Sequence, residues 1–213
     1  MCCTSTRRSF LPATSPSLTR AQLLSRTARG GAAALVAGSA LGQFVGTAAA
    51  DPLPDGDLAY ARLLVATELL GADFYARALA SGKAGPRLAK RLRLARANEL
   101  EHYQSVGQIL SGAGLVPAAP EDIDFGYPRG TFASEGSLAG FALELETIML
   151  GAYLGAVEGI QTNALKPVVA RIGASEAQHV AYLATIRGLA SFQAFPNPMT
   201  IQQVSNALDA YTA

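Results

Sequence analysis

The chain has 213 residues, 50% of them hydrophobic and only 7% aromatic, with no Trp and two Cys. Its 17 Lys and Arg nearly balance its 16 Asp and Glu, a net of +1, which excludes any global attraction to nucleic acid. One domain of ordinary size plus an extension is the natural organisation, and the Ala-, Leu- and Gly-rich composition suits a helical bundle.

Residues 1–50 read as the extension. They hold Arg7, Arg8, Arg20, Arg26 and Arg29 and no acidic residue, followed by a small-residue apolar run from Gly30 to Val45 and then Thr47-Ala-Ala-Ala50. A basic segment, an apolar run and an Ala-x-Ala end form an export signal, with cleavage expected after Ala50. Thr6-Arg-Arg-Ser-Phe-Leu11 resembles the twin-arginine export box, although it stands unusually far from the apolar run; Leu18 to Arg26 offers a second basic segment at a more normal distance. The alternative is an uncleaved anchor, for which the run is barely long enough and weakly apolar. Residues 51–213 then form the mature domain, with 12 basic against 16 acidic residues, a net of −4. Cys2 and Cys3 both lie in the removed segment, so the mature domain has neither a disulfide nor a thiolate ligand, and an exported location in the periplasm, cell envelope or medium must be survived on core packing alone.

Four long helices follow in order. Asp55-Gly-Asp57 offers an N-cap for an apolar pattern from Leu58 to Ala80, and Ser81 to Gly85 breaks it, with Pro86 suited to the first turn of the next helix. The second helix has an inward stripe of Leu88, Leu92, Ala95, Glu99, His102, Val106 and Ile109, and ends at Ser111-Gly-Ala-Gly114. A Pro- and Gly-bearing connection runs to about Gly136, long enough to be a crossover. Ser137 can cap a third helix to Gln161, with Ala142, Glu146, Met149, Tyr153 and Val157 on one face. The fourth repeats the seam with Leu165, Val169, Ile172, Glu176, His179, Leu183, Ile186 and Ala190; Phe195-Pro-Asn-Pro198 stops it, and a short amphipathic helix from Thr200 to Tyr211 closes the chain.

The only two histidines both lie in Glu-x-x-His, as Glu99-Leu-Glu-His102 and Glu176-Ala-Gln-His179, a spacing that puts both side chains on one face of a helix. They interrupt apolar stripes, a costly position for polar groups without partners. Two such helices, with two others each giving a Glu, make the dinuclear site of a known class of four-helix bundle. Glu68 is the only Glu of the first helix, and Glu146 is favoured on the third over Glu144, which faces elsewhere. Each is followed seven residues later by a tyrosine, Tyr75 and Tyr153. Glu68 to Glu99 is 31 residues and Glu146 to Glu176 is 30; Glu68 to Glu146 is 78 and Glu99 to Glu176 is 77. A duplicated helix pair gives this register.

On these residues, with Phe74-Tyr75, Asp124-Phe-Gly-Tyr-Pro128 and Ala152-Tyr-Leu-Gly-Ala156, the chain resembles the ferritin-like superfamily of dinuclear carboxylate proteins over residues 57–190. More narrowly it is similar to the secreted ferritin-like family that includes the desiccation-related proteins. The resemblance implies an all-α antiparallel four-helix bundle with a long crossover between helices 2 and 3. It also implies that Glu99 and Glu176 bridge two metals, with Glu68 and His102, and Glu146 and His179, as terminal ligands. Activities in the superfamily include ferrous-iron oxidation, peroxide reduction and hydroxylation.

Oxygen-rich ligation with one imidazole per metal suits two Fe or Mn ions better than zinc or copper. Against this stands a metal-free bundle in which the glutamates only hydrogen-bond the histidines. Tyr75 and Tyr153 are candidates to donate to the ligand carboxylates or relay electrons, or are simply core tyrosines. Glu101 is expected in solvent, as is the basic run Arg87, Lys90, Arg91, Arg93 and Arg96. No catalytic residue beyond the ligands is expected, and no nucleophile elbow or phosphate loop is present. The sequence therefore points to an exported di-metal protein whose partners are metal ions, O2 or peroxide and the export machinery, with a homodimer as the candidate assembly. The alternative is a non-enzymatic envelope or stress protein.

Overall fold

The structure, a computed structural model, describes residues 52–190 and 193–211; the export signal expected over 1–50 lies outside them. Five α-helices are present among the described residues: α1 (Asp55–Ala80), α2 (Pro86–Gly112), α3 (Glu135–Gly159), α4 (Lys166–Ile186) and α5 (Ile201–Asp209). α1 packs most extensively on α2, and α3 on α4; α1 also lies along α3, while α2 and α4 approach each other much less closely. Short turns join the members of each pair, which makes them antiparallel neighbours, and residues 113–134 cross over between the pairs. The all-α bundle with its long crossover between the second and third helices is as the sequence implies.

The stripes face inward as their spacing requires. Leu88, Leu92, Ala95, Glu99, Val106 and Ile109 of α2 are buried, as are Ala142, Glu146, Met149 and Tyr153 of α3 and Val169, Ile172, Glu176 and Leu183 of α4. α3 is apolar on nearly every side because α1, α4 and α5 surround it. By length and composition alone it could cross a membrane, but 56% of its most apolar window is buried inside the bundle.

Local signals differ from expectation at several ends. The N-cap of α1 is Pro54 rather than Asp55 or Asp57, and no side chain caps it. Asp57, fully buried, instead accepts from the backbone N–H groups of Gln161 (2.7 Å) and Thr162 (2.9 Å) and so ties the start of α1 to the α3–α4 turn. Ser134, not Ser137, caps α3; Ser137 is the N3 partner in a reciprocal capping box. α4 ends at Ile186, well before Phe195-Pro-Asn-Pro198, because Gly188 takes a left-handed conformation (φ 67°) that returns the chain. Ala190 is accordingly exposed.

The crossover is held by aromatic packing. Tyr127 meets Phe74, Phe132 and Phe141 at centroid separations of 6.0, 5.2 and 5.6 Å, and its hydroxyl donates to Asp73 at 2.8 Å. Beyond α4, Met199 donates its N–H to the Gly151 carbonyl at 2.8 Å, which lays the returning segment along α3 and positions α5. Val204, Leu208 and Tyr211 then close that face of the core.

Candidate metal centre

One side chain from each of α1 and α3, and two from each of α2 and α4, meet midway along the bundle. Glu68, Glu99, Glu146 and Glu176 are all fully buried, and the side chains of His102 and His179 are 12% exposed. Four carboxylates in an apolar interior would be prohibitively costly without compensation, so their convergence demands a source of positive charge.

Both imidazoles turn Nδ1 toward the carboxylates. His102 Nδ1 lies 2.8 Å from Glu176, 3.5 Å from Glu99 and 3.5 Å from Glu68. His179 Nδ1 lies 3.0 Å from Glu146 and 3.3 Å from both Glu99 and Glu176. Two overlapping groups result: Glu68, Glu99, His102 and Glu176, and Glu99, Glu146, Glu176 and His179. Within each, one potential ligand atom per residue lies within 4.8 Å of the others. Glu99 and Glu176 belong to both groups, and each remaining Glu–His pair to one. The pseudo-twofold symmetry seen in the sequence register is therefore present in space. The residues fit a metal: both oxygens of Glu99 and of Glu176, one each of Glu68 and Glu146, and Nδ1 of His102 are buried without a hydrogen-bond partner. Oxygen-rich donors with imidazole nitrogen suit a divalent first-row ion, and this group could hold one.

Electrostatics in the metal-free cage follow from crowding. Burial is the largest influence on each carboxyl. It pushes Glu68 and Glu99 up, and with repulsion from Glu176 it carries Glu146 to about 8. Glu176 is the exception: the imidazolium groups of His102 and His179, with Nδ1 2.8 and 3.3 Å from its oxygens, outweigh burial and hold it at about 2. Burial alone would depress the imidazoles, but their carboxylate partners dominate and raise both to about 12. Without metal, protons take the places that cations would neutralise.

The remaining carboxylate oxygens are bonded across the pseudo-twofold. Tyr75 of α1 donates to Glu146 of α3, and Tyr153 of α3 donates to Glu68 of α1. Both tyrosines are fully buried, and burial beside carboxylates raises their hydroxyls well above the ordinary value, so they stay protonated donors. Glu144 stands apart on the exposed face, where it accepts from Tyr211 at 3.2 Å, and Glu101 and the basic run from Arg87 to Arg96 are exposed.

Compared with known protein families, the chain matches the ferritin-like domain over residues 56–189. The chain belongs to this family. The match spans α1 through α4 and so includes all six residues of the cage. No curated protein matches the chain.

One contributor to this ferritin-like centre escapes sequence reasoning. Asn98 of α2 places its amide nitrogen 3.0 Å from His179 Nε2, across the bundle. With Nδ1 on a metal, Nε2 would carry the proton, and the Asn98 amide turned over about its Cβ–Cγ bond would present its oxygen there and fix the ring's tautomer and orientation. The only signal was a polar residue immediately before Glu99. Ser175 takes the matching place before Glu176.

Proposed function

We propose that the chain is an exported ferritin-like protein holding two Fe or Mn ions, and that it oxidises Fe(II) or reduces peroxide or O2 there. The observation that carries this reading is the pair of overlapping ligand groups sharing Glu99 and Glu176. Four carboxylates would balance the charge of two divalent ions, and Glu99 and Glu176 are placed to serve both. A pair of redox-active ions supplies a two-electron change divided between neighbouring centres. The chain's own contribution is placement. Glu68 with His102, and Glu146 with His179, would hold the two ends. Tyr75 and Tyr153 keep the outer carboxylates oriented, and the apolar stripe above and below excludes water.

The test combines metal content per chain, after folding with Fe(II) and Mn(II) present, with O2 or peroxide consumption on Fe(II) addition. About two ions per chain and consumption above buffer autoxidation support the proposal. Metal binding without consumption leaves a structural site, and no metal sinks the proposal. A second reading, a non-enzymatic envelope or stress protein, is favoured by the imidazole–carboxylate pairs, which hold the cage together with protons alone.

A further inference from the structure

The weak approach of α2 to α4 leaves a cavity of about 250 Å³ between them, directly outside His179. Leu92 and Leu183 line it beside Asn98 and His179, together with the exposed Arg91 and the half-buried Tyr182. Two polar groups there are unspent. Tyr182 Oη is buried with no hydrogen-bond partner. The Arg91 guanidinium sits 4.7 Å over the Tyr182 ring and pairs with no carboxylate among the described residues. Stacking engages the face of a guanidinium and keeps its N–H edge free to donate.

We propose that this cavity binds a small monocarboxylic acid with an apolar chain or ring. Its carboxylate would be gripped by Arg91 and Tyr182, and its body would lie between Leu92 and Leu183 toward His179. One cation and one unpartnered hydroxyl match a two-oxygen monoanion, and the leucine walls suit an apolar body behind it. The volume lies below that of sites for drug-sized ligands or cofactors, and the apolar walls disfavour a simple inorganic ion. Because the mature domain carries net negative charge, an anion finds its attraction here locally rather than from the surface as a whole. The site stands on its own lining and goes beyond the metal reading.

The probes are hexanoate and its neutral counterpart hexanamide, titrated calorimetrically into the full chain. The expected result is one saturable site for hexanoate, with hexanamide about tenfold weaker or worse. Arg91→Gln and Tyr182→Phe should each weaken hexanoate by about fivefold or more, while Arg93→Gln, on the same helix but outside the lining, leaves it unchanged. Arg91 is exposed, so its replacement does not threaten folding. No saturable binding, equal binding of acid and amide, or parent-like binding by either lining variant overturns the proposal. Metal content measured on the same samples separates the two readings: an unmetallated chain that still binds hexanoate retains this site and loses only the other.

Discussion

Tyr75 on α1 donates its hydroxyl to Glu146 on α3, in the other half of the bundle, rather than to Glu68 seven residues before it on its own helix. Tyr153 returns the bond to Glu68. Each helix pair thus orients the outer carboxylate of the other, and the cage is locked by reciprocal contacts between duplicated halves. Tyr75→Phe and Tyr153→Phe each strip a donor from a fully buried carboxylate. The expected cost to the metal-free chain is about 1–3 kcal/mol for Tyr153→Phe, the usual penalty for an orphaned buried acceptor, and less for Tyr75→Phe, because His179 Nδ1 still lies 3.0 Å from the same Glu146 oxygen. The phenylalanine preserves packing, so the effect should shrink on metal loading, when a cation takes up the charge. Thermal unfolding with and without Fe(II) checks this; equal losses in both states would make the tyrosines core residues only.

Replacement of a terminal histidine should differ from replacement of a shared glutamate. His102→Ala or His179→Ala removes one member of one group, so metal content should fall to about one ion per chain while the helical signal persists. Glu99→Ala or Glu176→Ala touches both groups and should abolish binding. Identical stoichiometry for all four variants would contradict the shared-ligand arrangement.

The parts legible in the sequence were those with local periodicity. Glu99 and His102 could be placed because they occupy steps of an apolar stripe, and Glu146 could be chosen over Glu144 because only it keeps the step to Tyr153. The parts that stayed hidden depend on distant partners. Asn98 acquires meaning only from His179, 81 residues away, and Asp57 only from Gln161 and Thr162, 104 and 105 residues away. Asp57 looked like a cap because an acidic residue before a helical pattern usually is one. Here a longer-range pair of N–H groups takes the carboxylate, and α1 begins earlier, at Asp55. The end of α4 was misplaced for another reason: Gly188 stops it before the prolines can.

Gly155 is held by contact rather than by helix propensity. An added Cβ would collide with the Met199 carbonyl, part of the backbone that lies along α3. In an open helix Gly→Ala gains about 0.5–1 kcal/mol. Gly155→Ala should lose more than this, because the segment that docks α5 must shift, and overpacking costs about 1–3 kcal/mol. The outcome expected is a lower Tm with faster proteolysis near residues 197–200. A raised Tm would mean the segment does not lie against the helix in solution.

Asp57 gives the clearest dependence on pH. Burial pushes its carboxyl up, but hydrogen bonds from the Thr162 side chain and the Gln161 and Thr162 backbones, with the charge of Lys166, outweigh it and leave the group below its ordinary value. A carboxyl lowered in the folded state adds stability that is present above its unfolded value, about pH 4, and is lost as pH falls through the folded value. Asp57→Asn keeps the shape but offers one acceptor oxygen to two N–H groups, so at pH 7 it should cost about 1–3 kcal/mol. The cage carboxylates are common to both proteins, so the difference between parent and variant isolates Asp57. Urea unfolding of the pair at descending pH should show the gap closing below about pH 4. A gap that holds constant to about pH 2 would mean the Asp57 bonds do not depend on its charge.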